Sequence, residues 1–93
     1  MIENRMSARL KKQLQRLASN PKDLRWSELK APLQALGFVE QQGDGAAVRF
    51  RHKVNTNHTI RLHKPHGRNP PTVLVVYVRE VVRSLREWGY MNE

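Results

Sequence analysis

The chain has 93 residues, no cysteine, and 17 Lys and Arg against 8 Asp and Glu, for a formal charge of +9. That length admits one small domain, and the missing cysteine excludes disulfides and thiolate metal sites and fits a reducing cytoplasm. Residues 1–12 are polar and basic with no apolar run, so neither a secretory leader nor a membrane span is expected.

Helical spacing begins at about residues 7–19. Ser7 can cap the amino end, Leu10, Leu14 and Leu17 form a narrow apolar stripe, and Asn20-Pro21 stops the helix. Such a stripe leans on a small core or on a partner, and a bracing role is expected. A second helix is predicted over about residues 27–36, with Trp26, Leu29, Leu33 and Leu36 on the buried side and Gly37 as its left-handed exit. Pro32 lacks the N–H that such a helix would use, which predicts an irregular first turn or a later start.

From Phe38 the apolar period changes to two. Residues 38–42 read as a strand, Gly43-Asp44-Gly45 as a tight turn, 46–52 as the returning strand and about 58–63 as a third, which makes an antiparallel meander. Alternation turns Val48, Phe50, Ile60 and Leu62 one way and Arg49, Arg51, Thr59, Arg61 and His63 the other, so one sheet face is apolar and one cationic. After the loop 64–71, Thr72 offers a cap for a last helix. Its core face is Val75, Val78, Val81, Val82, Leu85 and Trp88, its basic face Arg79, Arg83 and Arg86, and its stop Gly89. Residues 73–78 are β-branched enough to pass for a strand, so the start of that helix is open.

Charge is unevenly placed. Between Asp44 and Glu80 there is no carboxylate, yet that stretch holds seven Lys and Arg and all four histidines, His52, His58, His63 and His66. Cations without internal partners repel one another, and their tolerance points to a polyanion that releases counterions on binding, with RNA the first expectation. Arg49, Arg51, Arg61 and Lys64 are the expected RNA contacts.

The catalytic census is mostly negative. No phosphate-binding glycine loop is present and no histidine pair has the i, i+4 spacing of a metalloprotease. His63 and His66 in LHKPHG are near enough to share a cation, but without cysteines or nearby acids the ligand set would be poor, so no metal and no cofactor is expected. RNA hydrolysis suits the residues better. A histidine can take a proton from a ribose 2′-OH, and adjacent Arg and Lys can stabilise the phosphorane.

The segments RWSELKAPLQALGF, GDGAAVRF, IRLHKPHG and VVYVREVVRSLREWGY, in this order, resemble the HicA toxins of bacterial toxin–antitoxin pairs over about residues 25–90. The resemblance implies an α+β fold of the double-stranded-RNA-binding type, a three-stranded antiparallel sheet with helices on one face. Residues 1–22 would be an added N-terminal helical extension before a core of 23–93, within a single domain. It also implies an mRNA-cleaving endoribonuclease and a HicB-like antitoxin as partner. Many HicA members carry Gly-Ser-His at the start of the second strand, with the histidine catalytic. Here those positions read Gly45-Ala46-Ala47, so the position of the family histidine is Ala47.

Two explanations stand side by side for that departure: a branch that uses other residues, with His63 and His66 as its candidates, or an inactive form. A non-catalytic RNA-binding module gripping phosphates along an A-form groove is the alternative function. A protein whose basic surface meets an acidic partner is a third.

Overall fold

The computed structural model describes residues 7–65 and 71–92. Its order is α1 (Ala8–Ala18), α2 (Trp26–Ala35), β1 (Phe38–Gln42), β2 (Ala47–His52), β3 (Thr59–His63) and α3 (Val75–Glu87). The three strands form an antiparallel sheet in the order β1-β2-β3, so the fold is α+β.

Helix α1 starts where its capping chemistry says it should: Ser7 Oγ accepts from the Leu10 N–H at 3.0 Å. Leu10, Leu14 and Leu17 are buried in the same core as the sheet, so the stripe seats the helix within the domain. Arg16 ties it to Glu28 of α2 at 3.3 Å and to Asp23 of the intervening connection at 3.3 Å. The Glu28 hydrogen bond, then the charges of Glu28 and Asp23, push the Arg16 guanidinium pKa above its ordinary value.

Helix α2 begins at Trp26, one residue before the sequence expectation, and Pro32 neither delays it nor disorders its first turn. Glu28 supplies the reason. Its Oε1 accepts from the Arg25 N–H at 2.8 Å and closes the first turn from the third helical position. Pro32 is buried among the core side chains, so burial of the ring offsets the hydrogen bond it cannot donate. The exit is at Gly37, with φ of 105°.

Within the sheet, Phe38 faces His52, Glu40 faces Phe50 and Gln42 faces Val48. Val48 faces Leu62 and Phe50 faces Ile60 across the other ladder. Phe38, Val48, Phe50, Ile60 and Leu62 are all buried, and they join Leu29 and Leu33 of α2 and Val78, Val81, Val82 and Leu85 of α3 in one core. Each such side chain contributes about 1.5–3 kcal/mol on burial. The helices therefore cover one sheet face and leave the other, with Arg49, Arg51 and Arg61, in the open.

Thr72 does not cap α3. Val73 is buried, and its N–H donates to the Leu24 carbonyl at 2.7 Å while Arg25 and Thr72 form a bridge. That pairing holds residues 72 and 73 extended, so Leu74 becomes the N-cap. The other end follows expectation. Gly89 has φ of 87°, Gly89 N donates to Arg86 O at 3.1 Å and Tyr90 N to Leu85 O at 2.8 Å, the paired bonds of a Schellman ending. No helix among the described residues is long and apolar enough to cross a membrane.

Candidate nucleic-acid interface

Strand alternation and pairing register build a guanidinium array on the open sheet face. Arg49 on β2 faces Arg61 on β3, Arg51 faces Thr59, and Ala47 faces His63. Opposed residues of an antiparallel pair stand about 4.5–5.5 Å apart, and same-face neighbours along a strand about 7 Å. Arg49 Nε donates to Gln41 Oε1 at 2.9 Å, a neutral partner that orients the guanidinium and leaves its charge uncompensated. Among the described residues, neither Arg49, Arg51 nor Arg61 forms an ion pair with a carboxylate.

Lys64 does not join them. Its Nζ lies 3.9 Å from Glu40, which also pairs with Lys30 of α2 at 3.1 Å. Glu40 faces Phe50 across the ladder, so it projects from the helix-covered side of the sheet. The basic stripe of α3 is partly neutralised as well, since Arg83 meets Glu80 at 2.8 Å and Glu87 at 3.6 Å. Glu80 raises the Arg83 pKa above its ordinary value, mainly by its hydrogen bond. Arg79 and Arg86 remain exposed on that helix without a carboxylate partner among the described residues.

The histidines divide by environment. His52 is buried: its Nδ1 accepts from Val54 N at 3.1 Å and Asn55 N at 3.0 Å, and its Nε2 lies 3.0 Å from the Leu36 carbonyl. A nitrogen accepting two N–H groups carries no proton, so the ring is the Nε2–H tautomer and donates to Leu36. His58 stacks on Trp88, with centroids 4.4 Å apart and planes 6° apart, and its Nδ1 is 2.7 Å from the Tyr90 hydroxyl. Both of these rings are engaged by the fold. His63 is exposed at the end of β3, with Nδ1 3.1 Å from the Tyr77 hydroxyl of α3. His66 and Arg68 lie outside the described residues, and among those described no cluster of three or more His, Cys, Asp or Glu could hold a metal ion.

Around Ala47 the surface opens into a cleft of about 490 Å3. Asp44 of the β1–β2 turn, Arg49, Arg61, His63 and Tyr77 line it together with Ala47. The small side chain of Ala47 leaves this space, and the β1–β2 turn closes tightly beside it. Gly43 N donates to Ala47 O at 2.8 Å, so close that a Cβ on Gly43 would meet Ala47 O at 3.2 Å.

In comparisons with protein-family models, curated proteins and solved structures, no match is found for this chain. The site therefore rests on its own geometry. Of the residues expected from sequence, the structure brings together Arg49, Arg51, Arg61, Ala47 and His63, and separates Lys64. Sequence reasoning missed Tyr77 and Asp44. Tyr77 reads in sequence as one aromatic in a β-branched run, and only the packing of α3 beside β3 brings its hydroxyl to His63.

Proposed function

We propose that this chain acts on RNA in the manner of a HicA-like toxin, gripping the backbone with Arg49, Arg51 and Arg61 and cutting beside His63. One observation carries the reading: these three guanidinium groups share an uncovered sheet face without a carboxylate partner among the described residues. Such an array costs electrostatic repulsion unless an anion bridges it, and phosphodiesters at backbone spacing suit guanidinium forks.

His63 is the described histidine exposed beside this array. When its Nδ1–H donates to the Tyr77 hydroxyl oxygen, Nε2 carries the lone pair that can take a proton from a ribose 2′-OH. The 2′-oxygen then attacks the adjacent phosphorus, and Arg61, two residues along the same strand, and Arg49 across from it supply charge for the phosphorane. The P–O5′ bond breaks as the 5′-oxygen takes a proton from the His63 imidazolium or from water, leaving a 2′,3′-cyclic phosphate. The resemblance to HicA toxins supports the same assignment and adds a HicB-like antitoxin as the partner. An acidic antitoxin covering this face would be steered to it and would mask the RNA site.

Ala47 favours a second reading, a non-catalytic RNA-binding module, because the imidazole expected there is a methyl group. Expression of the chain with and without an antitoxin-like neighbour, followed by growth and mRNA integrity, separates the two. Arrest with shortened mRNA supports the toxin. Tight, salt-dependent RNA binding without cleavage supports the module, and no RNA binding at low salt removes both.

A further inference from the structure

We propose that the cleft beside Ala47 receives one unpaired RNA base, with the flanking phosphates held by Arg49 and Arg61. The inference rests on the RNA reading above and deepens it by naming the form of RNA that the site takes.

Three features of the cleft carry it. Its volume is about 490 Å3, and in its wall Ala47 stands opposite His63 with a methyl side chain where the neighbouring outward-facing positions of β2 carry arginines. A flat cationic sheet would serve duplex and single strand alike, whereas a recess beside it offers a place for a base that has left its stack. On one side stand aromatic rings from two elements. His63 of β3 and Tyr77 of α3 have centroids 6.2 Å apart and planes inclined at 34°, joined by the 3.1 Å contact between Nδ1 and the hydroxyl. Rings held by such a bond are pre-positioned faces for a base, and stacking is tolerant of base identity.

The third feature is a sign change. Asp44 lies in the cleft wall without an ion-pair partner among the described residues, although the chain carries a charge of +9. An exposed carboxylate repels phosphate and accepts hydrogen bonds from the N–H groups of a base edge. A nucleotide entering the cleft is thereby oriented, its phosphates toward Arg49 and Arg61 and its base edge toward the β1–β2 turn. Base-paired RNA keeps those N–H groups occupied and its faces stacked, so a duplex reaches the arginines and leaves the cleft empty.

Fluorescence anisotropy with a labelled single-stranded RNA of about eight nucleotides and a blunt duplex of the same sequence tests this. The single strand should bind at least tenfold more tightly. Ala47→Leu, which fills the cleft, and Tyr77→Ala, which removes an aromatic ring, should each cost the single strand about tenfold or more while leaving the duplex and the salt slope unchanged. Arg49→Gln and Arg61→Gln should weaken both RNAs together. Circular dichroism checks that each variant folds, and if Ala47→Leu does not, Tyr77→Ala carries the test from another element. Equal affinity for the two RNAs, or single-strand binding unaffected by filling the cleft, overturns the cleft proposal and leaves the arginine array in place. Absence of binding to either RNA at low salt overturns both.

Discussion

Arg49 and Arg61 stand directly opposite each other on neighbouring strands, two like charges on the open face of the sheet. Some cations elsewhere in the molecule meet acids, as Arg83 meets Glu80 and Glu87. An opposed like-charge pair destabilises a sheet, so its presence separates what the fold needs from what a ligand needs. Arg61→Gln should raise the thermal midpoint of the free protein by about 1–5 °C. The same variant should lower RNA affinity and reduce the log–log salt slope by about 0.7–0.9 for each phosphate that Arg61 neutralises. A melting curve and a filter-binding titration check both effects, and a lower midpoint with an unchanged slope would take Arg61 out of the interface.

His52 and Gly37 form a coupled pair in the core. A Cβ on Gly37 would come within 2.8 Å of His52 Nε2, and Gly37 has φ of 105°. His52→Ala leaves the Leu36 carbonyl and two backbone N–H groups without their partner and should cost about 2–4 kcal/mol in urea unfolding. Gly37→Ala should cost about 1–3 kcal/mol through strain and the clash with the imidazole. In the His52→Ala background the clash is gone and the strain remains, so the second penalty should shrink without vanishing. Strict additivity would show that the imidazole does not hold the α2–β1 connection.

Ala47 faces His63 across the strand pair. Ala47→His would set two imidazoles across from each other, and one positioned acid–base group is worth about 100- to 10,000-fold in rate. Cleavage of mRNA should rise, with a higher KM because the new side chain narrows the cleft, while His63→Ala should abolish cleavage in the same background. No change on Ala47→His together with loss of toxicity on His66→Ala would move the chemistry to His66.

Leu17 is fully buried in the core that includes the sheet. Leu17→Ala should cost about 2–5 kcal/mol, the range for a core leucine that leaves a cavity. Urea unfolding should remain a single transition, since α1 shares the one core. A first transition confined to α1, with the sheet still folded, would show the helix to be a detachable extension.

An acidic antitoxin occupying the arginine face should associate more slowly as salt rises, because steering between opposite charges is screened. Replacing Arg49 and Arg51 by alanine together should slow association at low salt and flatten that dependence. A complex that binds RNA as tightly as the free chain would rule out masking.

Elements whose signal is local were legible in the chain. The period of two in residues 46–52 and 58–63 placed Arg49, Arg51 and Arg61 on one face, because side-chain direction in a strand depends only on parity. Ser7 as a cap and Gly37 and Gly89 as helix exits were legible for the same reason, each being a property of one residue and its nearest neighbours. What the tertiary structure decided were the partners. Glu40 and Lys64 are far apart in sequence and meet across the end of the sheet, which removes a cation from the array. Residues 72 and 73 stay extended because they pair with Leu24 and Arg25, a pairing that no local propensity encodes. The four histidines look alike in the chain. Packing makes His52 an acceptor of backbone N–H groups and His58 the stacking partner of Trp88, and it sets His63 at an exposed strand end beside Tyr77. Hydrogen bonds and ion pairs act over a few ångströms, and that proximity is created only when the helices close over one side of the sheet.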